Sequence, residues 1–65
     1  MELRVNGEDR SFDGYTLHEL IASINLNPGR IAVELNGNIV PRSEFGNVEL
    51  KNGDSLEIVH FVGGG

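Results

Sequence analysis

The sequence predicts an α+β domain, a sheet of four to five strands with one helix packed on one of its faces. Three observations predict it. Several short runs alternate apolar and polar residues with a period of two, one segment alone carries the 3.6-residue spacing of an amphipathic helix, and Asn-Gly pairs punctuate the runs. With 65 residues, 38% of them apolar, there is room for one small core, and with no cysteine nothing can staple it covalently. A single core at this size supplies about 3–5 kcal/mol.

Taken in order, Leu3 and Val5 alternate with Glu2 and Arg4 as a half-buried first strand. Asn6-Gly7 follows, a pair suited to the tight hairpin turn that needs positive φ at both central positions, and a second strand runs from about Glu8 to Phe12. Asp13-Gly14 breaks it. Thr16-Leu17-His18-Glu19 reads as a capping box, with Tyr15 and Leu20 placed to form a hydrophobic staple. Leu17, Leu20, Ile21 and Ile24 then line one face of a short helix, which Asn25 to Gly29 ends. Ile31, Val33 and Leu35 make a third strand, turned by Asn36-Gly37 into a brief strand at Asn38-Ile39-Val40 that Pro41 stops. Arg42 to Asn47 is an irregular connection with room for one helical turn, and Val48-Glu49-Leu50 is expected as a short edge strand. After the turn at Asn52-Gly53-Asp54, Leu56 to Phe61 is the last and most apolar strand. Gly63-Gly64-Gly65 offers no side chain to pack and is expected to be a mobile tail.

Charge narrows the function. Ten acidic residues stand against five basic ones, a net charge of −5, and the five cations, Arg4, Arg10, Arg30, Arg42 and Lys51, are scattered. That argues against nucleic acid and against anionic membrane surfaces, and points to basic protein partners. No apolar run approaches the ~18–20 residues that span a bilayer, and no export signal opens the chain, so a cytoplasmic protein is expected. The length favours a binding or carrier module over a self-contained enzyme. His18 is expected at the solvated surface, and His60 half-buried and hydrogen-bonded. The two are too far apart in sequence for a convincing metal site, so none is expected.

Four segments carry a resemblance. Val5-Asn6-Gly7-Glu8, Ile31-Ala32-Val33-Glu34-Leu35-Asn36-Gly37-Asn38-Ile39-Val40-Pro41, Leu50-Lys51-Asn52-Gly53-Asp54-Ser55-Leu56-Glu57-Ile58 and the closing Gly64-Gly65 stand in an order that resembles the ubiquitin-like, or β-grasp, sulfur carriers. The resemblance covers the whole chain and is nearest to the ThiS family of thiamine (thiazole) biosynthesis. The small subunit of molybdopterin synthase is similar in fold and ending but usually longer. The resemblance implies a mixed β-grasp sheet in a domain over residues 1–62, followed by a glycine tail over 63–65. The family ends in a diglycine; here Gly63 lengthens the tail upstream.

The resemblance also implies a chemistry. A terminal carboxylate, with a pKa near ~3.5, is ionised at neutral pH and is a poor electrophile. An ATP-using adenylyltransferase of the ThiF type would convert the Gly65 carboxylate to an acyl-adenylate, and sulfur derived from cysteine would displace AMP to leave a thiocarboxylate. A thiazole synthase of the ThiG type would then take the sulfur. Gly63 and Gly64 suit a tail that threads a narrow channel, since backbone alone must pass. The carrier itself is expected to bind no cofactor and to be no enzyme. Alternation along the last strand puts Leu56 and Ile58 on the core side and Glu57, Val59 and Phe61 on the other, with Ala32 a possible neighbour. Val59, Phe61 and Ala32 are therefore the expected docking residues. Three other readings use the same residues: the molybdopterin synthase subunit, a protein modifier joined to a target lysine through Gly65, and a β-grasp interaction domain whose glycines do nothing.

Overall fold

A computed structural model describes residues 1–61. The tail residues Gly63, Gly64 and Gly65, and Val62 at the expected domain boundary, lie outside the described residues. The elements run β1 (Glu2–Val5), β2 (Glu8–Ser11), α1 (Leu17–Ser23), β3 (Ile31–Leu35), β4 (Asn38–Val40) and β5 (Ser55–His60), with 3-10 turns at Pro28–Arg30 and Arg42–Glu44. The five strands form one sheet in the order β2-β1-β5-β3-β4. The β1–β5 pair is parallel and the others antiparallel, so the sheet is mixed and its last strand is central. This is the architecture that the resemblance implies.

Both hairpins follow from their turns. Asn6 (φ 52°) with Gly7 (φ 81°), and Asn36 (φ 50°) with Gly37 (φ 89°), adopt the paired positive φ of a type I′ turn. A two-residue loop leaves no slack in register, so Val5 faces Glu8 and Leu35 faces Asn38. Leu3, Val5, Val33 and Leu56 thereby share the face on which α1 lays Leu17, Leu20 and Ile21, all of them buried. Phe12 joins this core just beyond β2, its N–H donating to the Met1 carbonyl at 2.9 Å. Its ring lies over Gly14, where a Cβ would come within 2.5 Å of the ring's Cζ, so any larger residue there would have to displace the ring.

Helix α1 begins and ends as its sequence dictates. Thr16 Oγ1 accepts the Glu19 N–H at 3.2 Å, and Glu19 Oε1 accepts the Thr16 N–H at 2.9 Å, which is the expected capping box. At the other end Asn25 takes φ 59°; its N–H donates to the Ala22 carbonyl and the Leu26 N–H to the Ile21 carbonyl, a Schellman closure.

Two local expectations are corrected. Tyr15 is 71% exposed, not the state of a ring stapled onto Leu20, because its backbone is committed elsewhere: the Leu50 N–H donates to its carbonyl at 2.7 Å. Val48-Glu49-Leu50 is not an edge strand. It makes a lone bridge, Thr16 with Glu49, because the carbonyls of this stretch serve the start of α1. Leu17 N–H donates to the Val48 carbonyl and His18 N–H to the Phe45 carbonyl, each at 3.0 Å. Phe45 and Leu50 turn inward and complete the core.

Removing the cap by Thr16→Ala is expected to cost about 1 kcal/mol, and Leu20→Ala, which empties space beneath the sheet, about 2–5 kcal/mol. Denaturant melts that weaken neither variant would refute this helix. The Glu19 carboxyl is held below its usual pKa of 4.5, first by the Thr16 backbone N–H and then by that of Tyr15. Its folded pKa lies below its unfolded one, so the carboxylate stabilises the fold above the unfolded value and ceases to as pH falls through the folded value. The acid-side fall in unfolding midpoint is therefore expected to be shallower in Glu19→Gln, which keeps the amide oxygen of the capping box. An unchanged slope would dismiss that linkage.

Candidate functional site

Alternation along β5 divides its residues between two surfaces. Leu56 is fully buried under α1 and Ile58 half-buried, while Val59 is 59% and Phe61 57% exposed on the face α1 leaves bare. Ala32 stands opposite Val59 in the β3–β5 ladder. The backbone remains held as far as Phe61, whose N–H donates to the Arg30 carbonyl at 2.8 Å. The structure therefore brings Val59, Phe61 and Ala32 together on the open face, as the alternation predicts.

A fourth residue belongs with them. Ile39 on β4 is 67% exposed and pairs with Glu34, two residues along β3 from Ala32 and on the same face. The sequence carried the signal for it. A two-residue turn at Asn36-Gly37 sets Leu35 against Asn38, which puts Ile39 against Glu34 and hence on the open side. Ile39, Ala32, Val59 and Phe61 make an apolar band running obliquely across three neighbouring segments.

Charged residues flank the band on this face. Glu34 and Glu57 stand directly opposite one another, a like-charge pair that costs a sheet stability when nothing offsets it. Towards β2, Arg4 approaches Asp9 at 3.9 Å, an exposed pair of little energetic weight. An apolar band beside carboxylates that form no ion pair among the described residues is a surface suited to a partner with an apolar patch and a basic margin.

His60 departs from expectation. It is exposed rather than half-buried, although it lies across from buried Ile31. The cover over the core side at this end therefore reaches Ile31 on β3 and not His60 on β5. His18 is exposed in the first turn of α1, as expected. Among the described residues, no group of three or more His, Cys, Asp or Glu side chains is placed to hold a metal ion, and no helix is long and apolar enough to cross a membrane.

Comparisons with known proteins agree with this geometry. A family model described as the ThiS family matches residues 3–65. The chain is 42% identical to the sulfur carrier protein ThiS of Bacillus subtilis (strain 168), over 97% of this chain and 98% of that one. It is also 42% identical to a thiazole synthase of Paramagnetospirillum magneticum and 39% identical to one of Magnetococcus marinus, each over the whole of this chain. The chain spans only 20% of the length of these two relatives. Among solved structures, the crystal structure of the thiamine biosynthesis protein ThiS from Geobacter metallireducens superposes with a TM-score of 0.83 at 35% identity, with both chains covered completely.

Carboxylates at the band are expected to be tolerated by the fold. Phe61→Asp and Val59→Asp should each cost no more than about 1 kcal/mol in a thermal or denaturant melt, whereas Val33→Asp, which places a charge where no surface is exposed, should abolish folding. An unfolded Phe61→Asp protein would move that ring into the core.

Proposed function

The chain belongs to the ThiS family, and from that premise we propose that it is a sulfur carrier of thiamine biosynthesis whose Gly65 carboxylate bears the sulfur. It is a carrier that enzymes act upon. The observation that carries this reading is the full-length similarity to a sulfur carrier protein ThiS, in a sequence that closes on Gly63-Gly64-Gly65.

The chemistry has two steps. A carboxylate oxygen of Gly65 attacks the α-phosphorus of ATP on an adenylyltransferase, pyrophosphate leaves, and the acyl carbon gains AMP as a leaving group. Sulfide, released by a thiol reductant from a persulfide whose sulfur originates from cysteine, then attacks that carbon, displaces AMP and leaves the thiocarboxylate. ATP is bound by the partner, and the carrier contributes no cofactor of its own. Gly63 and Gly64 give the tail a cross-section of backbone alone, so that it can enter a channel that excludes side chains.

The band of Ile39, Ala32, Val59 and Phe61 is the docking surface in this proposal. Glu34 and Glu57, with the net charge of −5, steer it towards a basic-rimmed partner. The final acceptor is a thiazole synthase. Support comes from two relatives bearing that name, each containing a segment similar to this entire chain. A cytoplasmic location is part of this proposal, supported by the need for an ATP-dependent activator.

Deleting Gly65 or replacing Gly64 with Val is expected to leave the melting curve of the domain almost unchanged while sulfur loading collapses. The deletion withdraws the carboxylate by up to ~3.3–3.6 Å, and a reacting atom misplaced by about 1 Å already costs about a hundredfold in rate. The valine keeps the length but adds a β-branched side chain and restricts φ. Intact-protein mass after incubation with adenylyltransferase, ATP and a sulfur donor reads the exchange of one oxygen for sulfur. Normal loading of both variants would sink the proposal, and conjugates to lysine in the host would identify a protein modifier instead. Phe61→Asp, folded, should bind the adenylyltransferase more weakly in a titration.

A further inference from the structure

We propose that Asn6 is a positioning residue for the outgoing end of β5: its side-chain amide replaces the peptide unit that β1 no longer supplies. The proposal rests on the sulfur-carrier reading, because that end of β5 carries the docking residues and leads to the tail.

The backbone register shows the gap that Asn6 fills. β1 pairs with β5 through Arg4 with Ser55 and Val5 with Leu56. The Arg4 N–H donates to the Asp54 carbonyl at 2.9 Å and the Asn6 N–H to the Leu56 carbonyl at 2.8 Å, so the next rung of this ladder falls on Ile58. By then β1 has left the sheet, turned by Asn6 and Gly7 at φ 52° and 81°. The Asn6 side chain supplies both halves of the missing rung. Its Oδ1 accepts the Ile58 N–H at 2.7 Å, and its Nδ2 donates to the Ile58 carbonyl at 3.2 Å. A primary amide carries the acceptor and donor of a peptide group side by side, which is why it can take that place.

The other flank of β5 is treated alike. Asn36, in the turn after β3, accepts the Ser55 N–H on Oδ1 at 2.9 Å, while its own N–H donates to the Ser55 carbonyl at 2.8 Å. Its Nδ2 donates to Asp54 Oδ1 at 3.0 Å. Each Asn-Gly turn thus lends a side chain to the central strand, Asn36 where β5 enters and Asn6 where it leaves. Two demands coincide at Asn6: a backbone at positive φ, and a side chain with one acceptor and one donor. Glycine meets the first alone, and aspartate meets the first but lacks the donor. Without the rung, Val59 and Phe61 are held from one flank alone, by Ala32 of β3 and by the Arg30 carbonyl just before it.

The experiment compares the parent with Asn6→Gly and Asn6→Asp, and with Asn36→Gly as a control for the opposite flank. Residue-resolved amide exchange and the steady-state constants for sulfur loading are measured on each. In Asn6→Gly the Ile58 amide should exchange about tenfold faster while the Leu20 amide of α1 is unchanged, and the KM of the adenylyltransferase for the carrier should rise about threefold to tenfold with kcat preserved. Asn36→Gly should leave Ile58 protected. In Asn6→Asp the carboxylate oxygen that replaces Nδ2 repels the Ile58 carbonyl and loosens the rung. Ile58 protection, corrected for intrinsic exchange, should therefore fall at neutral pH and recover as the introduced carboxyl protonates below about pH 4 and regains a donor. A role confined to the turn predicts no such recovery. Unchanged Ile58 exchange in Asn6→Gly, or faster exchange with an unchanged KM, overturns the role of Asn6 alone. A parent protein that never gains sulfur overturns the carrier reading and this proposal with it.

Discussion

The structure depends on how four backbone N–H groups at the start of α1 find partners. A helix of seven residues is too short to persist by itself, and its leading amides have no acceptor within it. The capping box serves two, the Glu19 N–H donating to the Thr16 hydroxyl and the Thr16 N–H to the Glu19 carboxylate. The carbonyls of Phe45 and Val48 serve the other two, Leu17 and His18. That obligation draws the stretch between β4 and β5 across the helix start. Phe45 and Leu50 then close a core that three helical side chains and the sheet would otherwise leave open. A chain this small, with no cysteine to form a disulfide, gains its closure from a loop satisfying a helix.

The strands, the hairpin registers and α1 were legible because each rests on local chemistry: period-two alternation, Asn-Gly turns, and a capping box with its helical spacing. The face of β5 that carries Val59 and Phe61 was legible for the same reason. What escaped was set by distant partners. Val48-Glu49-Leu50 has the composition of a strand, yet its hydrogen bonds go to a helix terminus thirty-odd residues earlier, which no local pattern announces. His60 sits on the core-facing side of the strand and is exposed all the same, across from buried Ile31. Burial there is set by packing from distant elements, which alternation does not announce. Ile39 could have been found by following the turn geometry one residue further. The dual service of Asn6 and Asn36, as turn formers and as rungs for β5, appears only once a third strand lies beside both turns.

The two faces of the sheet serve opposite ends. The covered face holds Leu3, Val5, Val33 and Leu56 and supplies stability. The open face holds exposed apolar residues and paired like charges, neither of which a folding criterion alone would favour. β5 belongs to both, contributing Leu56 to one and Val59 to the other.

The central position of β5, parallel to β1 and antiparallel to β3, has a mechanical consequence. A pull applied at its outgoing end runs along the strand and across the hydrogen bonds on both flanks. Such a load is shared in shear among the rungs, whereas a pull on an edge strand at right angles to its axis would open them one by one. A domain wired in this order can be tugged by its last strand while its core stays shut.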